Sequence, residues 1–176
     1  LANSMLTDYI MTGDESSLQT GISTLDCWAE QAIMENGLIH CFFDYILGDD
    51  EKMPEVQDAC NLAHAASNFF EAYDLVQCCG LERPLYFETA LKICNFIIEH
   101  QSCDGRFAKS WYNDGTCADP EGTIGCYLVS PLLHAYQLTG EEKYFDAALS
   151  GFEYYYQKFL LDGYTTAGAL DTYCID

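Results

Sequence analysis

A ten-residue turn that recurs along the chain constrains the fold more than any other feature of the sequence. In its fullest copy, Tyr136 to Phe145, Gly140 separates an apolar segment from a segment that opens with acidic residues. Weaker copies surround Gly13 and Gly80, so the three glycines lie 67 and 60 residues apart. An apolar residue follows each glycine at the fifth position. The pattern is typical of one helix that stops at a glycine while a second helix starts at once.

A second sequence marker, an Asn-Gly or Asp-Gly pair, recurs at a nearly constant distance after each turn. Asn or Asp precedes Gly37, Gly105 and Gly163, which lie 24, 25 and 23 residues beyond the glycines of the three turns. Two markers in step define a structural repeat, so the sequence predicts three helical hairpins with a long loop after each. We expect Asn36-Gly37 to end its helix through a left-handed glycine.

The two helices of a hairpin differ in their apolar pattern. The helix predicted for about 54–78, starting at Pro54, is small or apolar around most of its circumference, as is the segment 124–138, which Pro131 is expected to kink. Helices that follow the glycine turns carry one polar stripe instead. Helices apolar all round must be enclosed by neighbours, whereas one-sided helices form a solvated outer layer.

These patterns predict an all-α fold of antiparallel helical hairpins in two concentric layers. Residues 1–176 would form a single helical-hairpin repeat domain. A plain two-layer solenoid is the alternative, although its units are usually shorter, near ~34 residues in the best-known case.

Composition limits the partners and cofactors. The formal net charge of -21, from 28 acidic and 7 basic residues, repels nucleic acids and anionic lipids, and no apolar run is long enough to span a membrane. Ten cysteines and four histidines lack the spacing of a metal site, so we predict no metal and no other cofactor. Thiols in apolar segments favour the cytoplasm, while secretion with a Cys103–Cys117 disulfide stays open.

The Tyr-x-x-Thr-Gly-[Asp/Glu]-Glu-x-x-apolar turn, with the Asn/Asp-Gly loop, resembles the six-hairpin (α/α)6-toroid glycosidase superfamily. The resemblance covers essentially the whole chain, but these motifs are structural and are shared by unrelated activities. It implies inner helices around a cavity and a carbohydrate site at their N-terminal ends. It also implies a partial toroid, about half of the ring, with the remaining half supplied by the same polypeptide or by a partner chain.

Acidic and aromatic residues in the long loops are the candidates for that chemistry. Glycoside hydrolysis needs two facing carboxylates, and sugar rings stack on aromatic side chains. Acids recur 7, 9 and 8 residues past the second-marker glycines, at Asp44, Asp114 and Asp171. We predict a glycoside hydrolase acting on oligosaccharides, with Asp114 and Asp171 as acid and base and Asp44 and Glu121 in reserve. The loop 107–121 has the highest density of acids and aromatics and is the preferred loop for the site. The predicted sugar platform comprises Phe107, Trp111 and Tyr112 of this loop together with Tyr45 and Tyr173.

Structural interpretations of the same residues stay open. Loop aspartates commonly cap helices or form turns, and a tryptophan such as Trp111 commonly fills a core. The alternative function is a non-catalytic scaffold whose loops bind a protein or glycan. The segment Gln101-x-x-Asp104-Gly105-x-Phe107 is also similar to the Gln-x-x-Asp-Gly-x-Trp repeat of terpene cyclases, but no Asp-x-Asp-Asp motif accompanies it. An enzyme requires carboxylates that converge within roughly 5–10 Å, whereas aspartates satisfied by local amides favour the scaffold.

Overall fold

The computed structural model describes residues 1–40 and 55–161, and these residues form three antiparallel helical hairpins. The inner helices α1, α3 and α5 pack side by side, and α2, α4 and α6 lie outside them. The bounds are Ala2–Thr12 for α1, Glu15–Cys27 for α2, Ala59–Cys78 for α3, Pro84–Glu99 for α4, Val129–Thr139 for α5 and Glu142–Tyr155 for α6. The predicted all-α partial toroid of hairpins is therefore confirmed. Within these ranges, no helix combines the length and apolarity that crossing a membrane requires.

Short irregular helices extend this framework. A π-helical turn continues α2 over Trp28–Ala32 and another continues α6 over Tyr156–Leu160, while a 3-10 helix, Ile124–Leu128, leads into α5. Pro131 consequently lies in the first turn of α5, where backbone amides have no partner within the helix. The kink expected at Pro131 is instead a change from 3-10 to α geometry after Leu128.

The glycine turns have the geometry that their sequence predicts. Gly140 adopts a left-handed conformation, with φ 70°, and its amide donates to the Tyr136 carbonyl at 2.8 Å. The Thr139 hydroxyl donates to the Ala135 carbonyl at 2.7 Å and accepts from the Glu141 amide at 3.1 Å. The first copy repeats these bonds around Gly13. The threonine thus links the end of one helix to the start of the next.

The prediction that Asn36-Gly37 ends an outer helix is wrong. The helical segment ends at Ala32, and Gly37 lies in a turn between the bridged residues Ile33 and Ile39. Gly37 has φ 98°, and a Cβ on it would lie 2.6 Å from the Lys92 carbonyl oxygen in α4. The turn therefore rests on the backbone of the next outer helix, which only glycine permits.

The second hairpin repeats this arrangement. Beyond the end of α4 at Glu99, the Gly105 amide donates to the Ser102 carbonyl at 2.9 Å, and Gly105 has φ 91°. A Cβ there would collide with the backbone of Ser150 in α6. Lys92 and Ser150 are each the ninth residue of their helix, so the two contacts are equivalent.

A three-stranded antiparallel sheet lies where the inner helices α3 and α5 begin. Its strands are β1, Val56–Asp58, β2, Ser110–Tyr112, and β3, Cys117–Asp119, in the order β1-β2-β3. The prediction of a helix from Pro54 is therefore wrong for residues 56–58, and the predicted loop contains strands. The helix begins at Ala59 because Asp58, in extended backbone, accepts from the Asn61 amide at 2.9 Å and caps it.

Candidate functional site

The aromatic residues of the preferred loop mostly belong to the core. Phe107 and Trp111 are buried, and Trp111 meets Phe96 edge to face with ring centroids 5.5 Å apart. The Tyr155 hydroxyl donates to the Phe107 carbonyl at 2.9 Å and fixes the start of the loop. Tyr112, by contrast, is 45% exposed. Of these three predicted platform residues, Tyr112 therefore has the ring most accessible to a sugar.

The two candidate catalytic acids of this loop, Asp114 and Glu121, lie at opposite ends of the β2–β3 hairpin. At its tip, Asp114 accepts from the Thr116 hydroxyl at 2.6 Å and from the Thr116 amide at 2.8 Å, and these bonds lower the pKa of Asp114. At its base, Glu121 pairs with Arg106 at 2.6 Å and with Lys158 at 3.8 Å. Each carboxylate is bound locally, so the structure does not bring these two together.

The other loop candidates, Asp44, Tyr45, Asp171 and Tyr173, lie outside the described residues. Their roles, and the pairing of Asp114 with Asp171, stay predictions.

A groove of about 390 Å³ lies at the loop end of the bundle. We call it the α1–α3 groove, because α1, the end of α2 and the first half of α3 form its walls. Its lining is mainly apolar and includes the polar and aromatic side chains of Asn3, Trp28, His40, Asn61, His64 and Asn68. It lies at the N-terminal end of the inner helix α3.

A polar stripe on α3 supplies one wall of the groove. Asn61, His64, Asn68 and Glu71 recur at spacings of three, four and three residues, which places them on one helix face. Asn3 of α1 donates through Nδ2 to the Asn68 carbonyl at 3.0 Å and to the Glu71 carboxylate at 2.7 Å. Sequence reasoning missed this stripe because it treated α3 as apolar around most of its circumference. The i, i+3, i+7, i+10 spacing was the signal that could have identified it.

Two polar atoms beside the groove have no hydrogen-bond partner among the described residues. They are Nδ1 of His40 and Oδ1 of Asn3, and both are buried. Buried polar atoms are nearly always hydrogen-bonded in folded proteins, so we expect each to bind a group outside residues 1–40 and 55–161 or a water molecule. Burial lowers the pKa of His40, so its imidazole is neutral at pH 7.

His64 connects the groove to the third hairpin. Its Nδ1 lies 3.8 Å from Sγ of Cys60, and its ring centroid lies 6.0 Å from that of Tyr127 in the 3-10 helix before α5. The surface between α3 and α5 thus combines an imidazole and a phenol. In the described part of the chain, no group of three or more His, Cys, Asp or Glu residues could hold a metal ion.

Solved structures match this chain over nearly all of its length. A cellobiose 2-epimerase from Bacillus thermoamylovorans has 17% identity and a TM-score of 0.71, and the match covers 90% of this chain and 40% of the epimerase. The chain is a partial (α/α) toroid. A sugar epimerase from a ruminal bacterium has 18% identity and a TM-score of 0.72, covering 90% and 40% of the two chains. A glycoside hydrolase family 76 mannosidase from Bacteroides thetaiotaomicron has 17% identity and a TM-score of 0.63, covering 90% and 42%.

The partial toroid spans about two fifths of the length of these structures. Its resemblance to the six-hairpin toroid superfamily is confirmed at the level of the fold. No protein-family model and no curated protein matches the sequence.

Proposed function

We propose that the chain is part of a carbohydrate-active enzyme and that the α1–α3 groove holds part of an oligosaccharide. The observation that carries this proposal is the groove itself, a concave and mainly apolar surface at the N-terminal end of α3, with two buried polar atoms that have no hydrogen-bond partner among the described residues. The names of the matching structures, two sugar epimerases and a mannosidase, support the same substrate class.

The groove has the side chains that a neutral sugar requires. The Trp28 indole offers an apolar surface for the face of a sugar ring, and the amides of Asn61 and Asn68 can exchange hydrogen bonds with hydroxyl groups. Because the chain carries a formal net charge of -21, a neutral oligosaccharide is favoured over an anionic one.

Glycoside hydrolysis is the first candidate reaction. It would proceed through paired carboxylates, one protonated as the acid and one ionised as the base. Asp114 and Asp171 are the proposed pair, with Asp44 and Glu121 as further candidates. Because Asp114 is ionised and bound to Thr116, the base is the role that fits it better.

Epimerisation is the second candidate, and the histidines favour it. One neutral imidazole can take the proton from a carbon beside a sugar carbonyl while a second, protonated group on the opposite face delivers a proton to the same carbon, which inverts that carbon without a change of oxidation state. His40 is neutral because burial lowers its pKa, and His64 lies on the same groove.

Incubation with cellobiose and with mannobiose distinguishes the two reactions. Hydrolysis releases monosaccharides, whereas epimerisation yields a new disaccharide of unchanged mass, and NMR with mass spectrometry separates these products. Binding of the same sugars is measured independently by calorimetry, since the chain spans about two fifths of the matching enzymes. Binding without turnover would support the scaffold function.

Variants of the groove test the proposed site. We expect His64→Ala or Asn68→Ala to weaken sugar binding about tenfold, which corresponds to about 1.4 kcal/mol. Glu88→Ala is the control, because Glu88 is also exposed but lies on the outer helix α4, outside the groove lining. Equal affinity in all four proteins would place the sugar elsewhere.

We also propose a cytoplasmic location. The eight cysteines in the described ranges are free thiols, and Cys103 and Cys117 are exposed, which supports a reducing compartment. Thiol titration of the protein from its source cells tests this, and a Cys103–Cys117 disulfide would contradict it.

A further inference from the structure

A thiol and an imidazole form a pair in the first turns of α3. Cys60 is the second residue of this helix, and His64 follows four residues later, which places both side chains on one helix face. Sγ of Cys60 lies 3.8 Å from Nδ1 of His64. Within residues 1–40 and 55–161, this is the single hydrogen bond of the His64 side chain. Because His64 lines the α1–α3 groove, its other ring nitrogen, Nε2, is open to a ligand.

The position of Cys60 at the start of the helix restricts the acceptors of its thiol. Hydroxyl side chains inside a helix often donate to the carbonyl four residues earlier, and a thiol is also a donor. Four residues before Cys60 is Val56, which belongs to β1 and not to α3. Among the described residues, Nδ1 of His64 is therefore the acceptor that the thiol reaches.

The proton shared by this pair belongs to the sulfur. Burial raises the pKa of Cys60, and the nearby carboxylate of Asp58 raises it further, so Cys60 is a neutral thiol at pH 7. Sulfur is a weak acceptor, whereas the unprotonated nitrogen of a neutral imidazole is a good one. The thiol is therefore favoured as the donor and Nδ1 as the acceptor. A neutral thiol also does not act as a nucleophile.

The His64 ring also contacts the third hairpin. The ring of Tyr127, in the 3-10 helix before α5, lies at a tilt of 52° with its centroid 6.0 Å from that of His64. Contacts with two helical segments restrict the rotation of the imidazole. In a neutral imidazole, the hydrogen bond made by one nitrogen decides which nitrogen carries the proton.

We propose that Cys60 is a positioning residue, whose thiol donates to Nδ1 of His64 and fixes this imidazole as the Nε2–H tautomer. His64 then presents a hydrogen-bond donor to the groove, which suits a hydroxyl or carbonyl oxygen of a sugar. This role rests on the proposed sugar site and gives the two histidines different tasks. His64 donates to a sugar oxygen, and His40 is left as the neutral imidazole that takes a proton in epimerisation.

Nitrogen NMR of isotope-labelled imidazole rings tests the tautomer without any sugar. In mildly alkaline solution, we expect Nδ1 of His64 to resonate as an unprotonated nitrogen and Nε2 as a protonated one, with His64→Gln used for assignment. In Cys60→Ala both resonances should move toward the average of two exchanging tautomers. Cys60→Ser keeps a donor and should move them back.

Cys78→Ala is the matched control for the NMR experiment. Cys78 is the last residue of the same helix, far from the groove, so this change should leave the His64 resonances where they are. A protonated Nδ1 in the unaltered protein, or His64 resonances that Cys60→Ala does not shift, would overturn the proposal.

Sugar affinity, measured by calorimetry, tests the consequence for the groove. If Cys60→Ala makes the two tautomers equally populated, half of the protein is competent to bind and the affinity should fall about twofold. In a His64→Ala background the same change should have no further effect, because Cys60 acts through the imidazole. Equal losses in both backgrounds would contradict the positioning role. A protein that has the expected tautomer but binds no sugar would support the Cys60–His64 bond and contradict the proposed function.

Discussion

The loop 107–121, which contains β2 and β3, and the α1–α3 groove contain similar kinds of residue and use them in opposite ways. In the loop, Asp114 and Glu121 bind Thr116 and Arg106, and Trp111 packs against the core. In the groove, buried polar atoms of His40 and Asn3 have no partner in the described part of the chain. A dense run of acids and aromatics can therefore mark a loop that stabilises itself. Unpartnered polar atoms on a concave surface are the better indication of a ligand.

The largest expected effect tests whether the loop 107–121 uses its tryptophan to stabilise the fold. Trp111→Ala removes a buried ring and should lower the free energy of unfolding by about 3–5 kcal/mol, because the cavity adds to the lost burial. Urea denaturation measures the loss, and Tyr112→Ala, at an exposed neighbour, should cost about 1 kcal/mol or less. A Trp111→Ala protein of normal stability with lost sugar binding would make the loop a ligand site after all.

A smaller effect concerns the turn that opens the loop. Gly105→Ala should cost about 3 kcal/mol, since the left-handed backbone disfavours a Cβ and the Cβ would also collide with Ser150. Gly13→Ala is the matched control: its φ of 76° is similar, but nothing lies within 4 Å of an added Cβ, so about 1 kcal/mol is expected. Thermal unfolding of both variants measures the difference. Equal losses would show that the turn does not rest on α6.

Asp58 connects the two regions, because it ends β1 and caps α3. Asp58→Ala should cost about 1–2 kcal/mol of stability through loss of the cap. It should also weaken sugar binding, because the Asp58 carboxylate accepts from Nδ2 of Asn61 at 2.6 Å and orients that side chain toward the groove. Calorimetry at a temperature where both proteins are folded separates the two effects. Unchanged affinity would remove Asn61 from the proposed site.

The smallest effect depends on pH. Asp114→Ala should slightly lower the melting temperature at pH 7, since Thr116 stabilises the ionised carboxylate of a fully exposed side chain. The pKa of Asp114 is lower in the folded state, so this contribution is present above the unfolded pKa of about 3.9 and is lost as the pH falls through the folded value. Melting curves from pH 7 to pH 2 should show the two proteins converging. A difference that grows toward low pH would contradict the assignment.

Local chemistry explains which parts of the structure the sequence predicted. The helical hairpins were predictable because Gly140 and Thr139 form their turn from neighbouring residues alone. The sheet was not, because β1 pairs with β2 across more than 50 intervening residues, and three-residue strands have no distinctive periodicity. The site was harder still. His64 and Asn68 belong to a helix whose other faces are apolar. The bonds from Thr116 to Asp114 are local, and the sequence left a turn at Asp114 open beside a catalytic role without deciding between them.

The contacts that Gly37 and Gly105 make with the next outer helix affect how the chain folds during synthesis. The carbonyls that these glycines contact belong to Lys92 and Ser150, residues that leave the ribosome 55 and 45 positions later. The glycine turn that follows a newly synthesised hairpin therefore has no packing partner at first. It gains this partner only when the following outer helix has formed. Each hairpin is therefore expected to complete its packing only after the next outer helix has been synthesised. A ribosome that stalls between two hairpins leaves the glycine turn of the earlier one without its contact.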